Sequence, residues 1–408
     1  MDFSSPDSTD QQRFRQEVRT WFEENIPENM IHPVDPRDFT EEMYVFWRGK
    51  HQEMAAKGWL YPTFPVEYGG GGLTADHETI LEEESLRFKV PRFLNTNVLP
   101  SILVWGTEEQ KQKFLAPLLK AEKIAWEKYT EPRSGADLAG YISRAVRDGD
   151  DWIVTGQNAF ISGRDVSRPD WLFGPLVTDP DAPRHRNLGY FMIPFPSPGL
   201  EITAQNLLDG KNQHLIYMEN VRVPGDHLIG GEGQGWQVSN TGLEQQHGGR
   251  GRAFPKDEPA ENLLGYVSGT KHNGGTLGND PLIQQTTMDA LLDAHVDNIL
   301  AKRTYWMYQS HMEITHEGNE AQVHNRLKTM RQANRVRDAM KMHALLDRNE
   351  PGAPHGGAQE VEQRYAAGQR HGGGSTNIAK VILARRIGIS RTRERPYPTP
   401  STATKHGS

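Results

Sequence analysis

The first 120 residues alternate apolar and polar positions with a helical period. Phe14, Val18, Trp21 and Phe22 fall on one helical face with charges between them. A second amphipathic helix is predicted from about Glu41 to Lys57, and a third from Ala75 to Arg87. Another begins after Thr107, whose hydroxyl can cap it while Glu108 and Glu109 fill its first turn. Gly58 to Leu73 carries two prolines and the glycines Gly69 to Gly72, which makes it a loop.

From Ile124 to about Pro224 the pattern changes to short apolar runs. Trp152 to Thr155, Trp171 to Val177, Gly189 to Pro194 and Leu215 to Val223 are separated by turn clusters such as Asp148-Gly149-Asp150. This predicts a β-barrel or sandwich domain. Tyr129 and Thr130 read as the end of a strand, after which Pro132 and Gly135 force a loop that presents backbone N–H groups and the Thr130 hydroxyl. After Trp236 the sequence is helical again, with a helix start at Asp280-Pro281-Leu282. Met288, Leu292, Val296, Ile299 and Leu300 form a stripe read as bundle core. A polar, Gly-rich stretch from Asn349 to Gly374 interrupts the bundle, Ile378, Val381 and Ile382 mark a last helix, and Arg391 to Ser408 is expected to be disordered. The expected organisation is α+β: a helical domain over 1–122, a β domain over 123–232, a helical bundle over 233–390 and a tail over 391–408.

Composition narrows the chemistry. The 408 residues carry a net charge of −7, which argues against nucleic acid or an anionic membrane surface as partner. With no cysteine there is no disulfide, thiolate nucleophile or Cys-based zinc site. The start of the chain lacks a signal-peptide pattern and no apolar stretch is long enough to span a bilayer, so a cytoplasmic protein is expected. His311 and His316 are five residues apart and do not share a helical face, so no metal is expected there. Glu82-Glu83-Glu84 reads as a solvated helix face. The glycines between Gly230 and Gly235 do not have dinucleotide-fingerprint spacing and read as a strand-to-helix loop.

Several stretches together resemble the acyl-CoA dehydrogenase family. Thr130-Glu131-Pro132-Arg133-Ser134-Gly135-Ala136-Asp137 is similar to that family's T-E-P-x-x-G-S-D loop. Gly58-Trp59 with Pro65 to Gly72, Gly106 to Lys111, Asp148 to Trp152, Phe160-Ile161-Ser162, and Val221 to Pro224 with Gly230 to Trp236 match further family signatures in order. The resemblance implies FAD between the β domain and a C-terminal four-helix bundle, with an acyl-CoA thioester as substrate. It also implies electron-transfer flavoprotein or a similar acceptor, and a homo- or hetero-oligomer that pairs with an acyl-CoA dehydrogenase paralogue. Tyr129, Thr130, Gly135, Ala136, Phe160 and Ser162 fall on flavin-contacting positions, with Ala136 where the family usually has Ser. The Arg that reaches a neighbouring subunit's FAD is not evident in Asn273 to Gly278, which implies weaker FAD binding by the isolated chain.

The reaction implied is α,β-dehydrogenation: a carboxylate removes the α proton and the β hydrogen leaves as hydride. A base is required opposite the flavin, with a pKa raised by burial. The family carries that Glu at one of two positions. At the first this chain has Gly373, whose backbone N–H is also the matching donor to the thioester oxygen. At the second it has Gln246, followed by His247 in place of Arg. Neither Gly nor an amide accepts a proton at neutral pH. Glu244 matches a substrate-lining position but lies about 200° round a helix from Gln246, and His247 lies about 100° round. Glu244 and His247, the latter with an intrinsic pKa near neutrality, are the two residues that could compensate, Glu244 being the catalytic candidate beside the family's base positions Gln246 and Gly373. The resemblance implies Glu244, His247 and Gly373 as substrate-contacting positions. The alternatives are a base-less FAD- and acyl-CoA-binding subunit of a heteromeric acyl-CoA dehydrogenase and a flavin monooxygenase of the same fold.

Overall fold

A computed structural model describes residues 7–94, 96–163, 168–246, 256–368 and 375–391; of residues 244–246 it describes only the helical backbone. The N-terminal helices are α1 (Thr9–Asn25), α2 (Glu41–Ala56), α3 (Ala75–Arg87), α4 (Val98–Trp105), α5 (Glu108–Gln110) and α6 (Ala116–Leu119), the last two joined by a π turn over Lys111–Leu115. Ser8 and Gln11 form a capping box at α1, and Thr107 and Gln110 form another at α5. Val18 and Phe22 of α1 are fully buried, and Trp47 of α2 is anchored by donating from Nε1 to the Met30 carbonyl at 2.7 Å. Glu84 corrects the expectation of a solvated acidic face. It is 2% exposed and pairs with Arg15 at 3.3 Å and Arg19 at 2.7 Å, so the acid belongs to the α1–α3 contact. Periodicity alone could not show this, because α1's cations arrive only through tertiary packing.

The centre of the chain is one eight-stranded sheet. Its strands are β1 (Ala125–Glu127), β2 (Arg144–Asp148), β3 (Asp151–Ser162), β4 (Trp171–Val177), β5 (Leu188–Pro194), β6 (Leu200–Asn206), β7 (Asn212–Val223) and β8 (Leu228–Ile229). The order is β6-β7-β3-β2-β4-β5-β8, with β1 parallel to β4. β2 and β6 escaped the hydrophobic pattern, since each exposes most of its side chains. β1 ends at Glu127, so Tyr129 and Thr130 already belong to the loop.

The C-terminal elements are α7 (Gly235–Gln246), α8 (Glu258–Gly269), a short hairpin of β9 (Lys271–His272) and β10 (Gly275–Thr276), α9 (Pro281–Gln309), α10 (Glu317–Met340), α11 (Ala358–Gly368) and α12 (Thr376–Arg386). Asp280 caps α9 by accepting from Leu282 N at 2.8 Å. Leu263, Val267, Ala290, Val336 and Met340 form the local core. The α9 stripe corrects a second expectation: Met288 is 51% and Leu292 57% exposed, and Val296 and Ile299 are also exposed. The face of α9 that packs inward carries Thr287 and Ala290, small enough for helices to approach closely. α11 lies inside the stretch expected to be an interruption. No helix among the described residues is long and apolar enough to cross a membrane.

Candidate functional site

The loop after β1 is tied down on three sides. Lys128 N donates to Phe173 O at 2.9 Å, carrying the β1–β4 ladder one residue further. Glu131 and Ser134 exchange backbone hydrogen bonds of 3.0 Å around Pro132 and Arg133, closing a tight turn. The Thr130 carbonyl accepts from Ala159 N at 2.9 Å and from Asn158 Nδ2 at 3.1 Å, which fastens the turn to β3. Tyr141 Oη donates to the Lys128 carbonyl at 3.0 Å and also contacts that of Tyr129. The Glu131 carboxylate, 2% exposed, accepts from Ile142 N and Ser143 N, both at 2.8 Å.

The loop presents a shallow, open shelf. Gly135 and Ala136 are exposed, and a Cβ built on Gly135 would meet no atom within 4 Å. On the strand bonded to this turn, β3 is irregular between Asn158 and Ile161, and Phe160 stands in the left-handed region at φ 58° with 55% of its surface exposed. A large aromatic held there resists the usual preference against positive φ and against exposure. Ser162, two residues on, is exposed as well. The buried Asn158 Oδ1 accepts no hydrogen bond among the described residues. An open Gly, an outward aromatic and spare backbone and hydroxyl groups suit a planar heteroaromatic ligand lying on this surface.

Two ionisable groups precede the turn. Lys128 is fully buried, donating from Nζ to Pro175 O at 2.9 Å, and burial pulls its ammonium down to about 7. Glu127 is half-buried, and burial pushes its carboxyl up to about 7, against the lowering effect of Asn97, whose Nδ2 donates to Oε2. Neither residue is among those the sequence marks as candidates. The signal was there: a charged pair inside the apolar run Ile124 to Tyr129.

α4 and α7 meet beside Glu127. Ser101 Oγ donates to Val238 O at 2.9 Å and Trp105 Nε1 to Thr241 Oγ1 at 2.9 Å. A Cβ on Gly242 would come within 2.4 Å of the Asn97 carbonyl oxygen, so only glycine permits this approach. Glu244 and Gln246 occupy the last turn of α7. His247 and Gly373 lie outside the described residues. Tyr129, Thr130, Gly135, Ala136, Phe160 and Ser162, the residues expected to contact a cofactor, thus occupy one turn and the strand hydrogen-bonded to it.

Among the described residues, Asp35, Asp347 and Glu360 bring carboxylate oxygens within 4.8 Å of one another. Arg37, Arg348 and Arg364 pair with Asp35 at 2.5, 3.2 and 2.8 Å, so this is an ion-pair cluster joining the N-terminal loop to α11. Its cations already supply the charge a metal would bring.

Residues 8–122 match the family profile described as acyl-CoA dehydrogenase, N-terminal domain. Acyl-CoA dehydrogenase FadE29 of Mycobacterium tuberculosis is 33% identical over 241 residues, 58% of this chain and 60% of that protein. The match thus spans less than two thirds of that relative's length. Probable acyl-CoA dehydrogenase YngJ of Bacillus subtilis is 24% identical, over 93% of this chain and 98% of that protein. Among solved structures, the ChsE4-ChsE5 complex from Mycobacterium tuberculosis superposes with a TM-score of 0.80 at 24% identity, covering 96% of this chain and 100% of that one. A steroid ACAD, Tcur3481-Tcur3483, gives 0.79 at 24% identity, covering 97% and 100%. The fold is that of these proteins.

Proposed function

Because the chain belongs to the acyl-CoA dehydrogenase family, we propose that it binds FAD on the 129–136 turn and Phe160–Ser162, and an acyl-CoA thioester against α4 and α7. The reading is an oxidoreductase subunit acting on a CH–CH bond. The observations that carry it are the open space at Gly135 and the exposed Phe160 on the strand hydrogen-bonded to the same turn. Phe160 would stack on the flavin, Ser162 and the Thr130 hydroxyl would bond its edge, and the backbone of Gly135 and Ala136 would lie along it. When bound, FAD supplies the acceptor for the β hydride. The chain's own task is to hold the thioester flat, exclude water and take the α proton.

The last of these tasks favours a second reading. With Gln246 and Gly373 at the two base positions, the chain holds thioester and FAD while proton abstraction falls to Glu244 or to an active paralogue. The exposed Met288, Leu292, Val296 and Ile299 stripe supports such a paralogue, or a second copy, as partner. The two-component names of both structural relatives are in keeping with it. Electron-transfer flavoprotein or a similar acceptor would remove the electrons. The test is purification alone and with co-expressed paralogues, ultraviolet–visible spectroscopy, and anaerobic titration with acyl-CoA thioesters. A flavin spectrum bleached by a thioester is expected. Absence of bound flavin under both conditions overturns the reading.

A further inference from the structure

Away from the turn after β1, the helices α8, α10 and α11 leave a cavity of about 250 Å³ between them. Asp257, the N-cap of α8, lines one side, Lys328 and Gln332 of α10 a second, and Gln359 and Glu362 of α11 a third. The space equals that of about eight waters, enough for a small molecule but not for FAD or CoA.

The charges around it do not balance. Asp257 accepts from Lys328 Nζ through Oδ2 and from Gln332 Nε2 through Oδ1, the latter at 2.6 Å. Lys328 also pairs with Asp297 of α9 at 3.4 Å, so one ammonium serves two acids. Glu362 is left over. It is half-buried, and its carboxylate makes no hydrogen bond or ion pair among the described residues. Burial, and after it the Asp257 charge, push this carboxyl up, with a smaller push from Glu258; Lys211 and Lys328 offset only part of that. The cavity therefore has an acid with no cation of its own.

Gln359 points to the same conclusion independently. It is 1% exposed, lines this cavity, and has no hydrogen-bond partner at either Oε1 or Nε2. A buried amide with both ends unpaired is costly unless a ligand supplies the partners. Gln359 and Glu362 are three residues apart on α11 and share one helical face, so amide and carboxylate meet the cavity together. Pro259, Val336 and Tyr365 add apolar wall. The site thus asks for positive charge, for N–H donors spread over two acceptors, and for a short apolar remainder. A metal ion does not meet this, since Asp257 and Glu362 do not bring their oxygens within ligating distance of a common ion. A guanidinium does: its planar fork carries five N–H donors, pairs bidentately with a carboxylate and reaches a second acceptor.

We propose that the cavity between α8, α10 and α11 is a binding site for a small guanidinium-bearing molecule, whose planar head pairs with Glu362 and donates to Gln359 Oε1. Gln359 Nε2 is then available to an acceptor on the rest of the ligand, and the apolar part lies along Pro259 and Val336. The site is built entirely from the C-terminal helices, and it does not depend on the acyl-CoA reading above.

The test uses the full chain, with any partner that copurifies. Butylguanidine and butylurea share a skeleton and a planar head but differ in charge, and each is titrated calorimetrically. Butylguanidine is expected to occupy one site per chain with a Kd below about 1 mM, and butylurea to bind at least about tenfold more weakly. A cation beside Glu362 holds its carboxylate charged, so binding in the acid range should release a proton and tighten as pH rises. Glu362→Gln should weaken butylguanidine by about tenfold and remove the proton release, and Gln359→Leu should weaken it while leaving the release in place. No binding of butylguanidine, equal binding of the two compounds, or unchanged affinity in Glu362→Gln would each overturn the inference. If either variant fails to fold, the wild-type pair and its proton release still decide.

Discussion

The Glu131 carboxylate accepts the backbone N–H of Ser143 at 2.8 Å, and through its other oxygen that of Ile142 at the same distance. One buried acid therefore fixes where the turn after β1 ends and β2 begins. Glu131→Ala would leave two backbone donors without an acceptor, at a cost of roughly 2–4 kcal/mol. Chemical denaturation should show that loss, and flavin content per chain should fall with it. Glu131→Gln retains one acceptor oxygen and should cost less than half as much. Full stability and flavin content in Glu131→Ala would refute this account of the turn.

His51 makes the N-terminal helices sensitive to acid. It is 5% exposed beside Phe93 and Trp47; burial, aided by the Arg48 charge, pulls its imidazole down to about 4 from an ordinary 6.5. A depressed folded-state pKa contributes stability that is present above 6.5 and lost as pH falls through 4. The shift corresponds to about 3 kcal/mol over that window. Stability of His51→Phe between pH 7 and 4 should therefore decline less steeply than wild type. Parallel curves would show that other groups dominate.

Gln246 offers an amide where the family resemblance places a carboxylate. General-base assistance is typically worth 10²–10⁴-fold. Gln246→Glu should raise the rate of flavin reduction by a suitable acyl-CoA by at least about tenfold, measured by anaerobic stopped flow. Glu244→Gln should change little in that background. A fast wild-type reaction abolished by Glu244→Gln would instead make Glu244 the base.

The α9 stripe predicts assembly. Leu292→Glu places a charge among Met288, Val296 and Ile299, all exposed in the single chain. If these residues meet a second copy or a paralogue, the mutation should release the smaller species in light scattering at micromolar concentration and leave the chain's own melting little changed. An unaltered oligomer after this substitution would remove α9 from the interface.

By itself the sequence determined the order of helices, strands and helices, because periodicity and turn residues are local signals. Asp280 and Thr107 start helices wherever they sit, and Trp171 to Val177 reads as a strand from its apolar run alone. It also placed the turn after β1, since Pro132 and Gly135 dictate backbone shape. Tertiary structure decided which residues share a surface. Glu84 looked solvated until α1 brought Arg15 and Arg19 to it, and the α9 stripe looked buried until helix packing turned it outward. The partner of Glu127, Asn97, is 30 residues away and reaches it only in the folded chain. Local free energies are written along the chain; burial and hydrogen-bond partnership are properties of the folded whole.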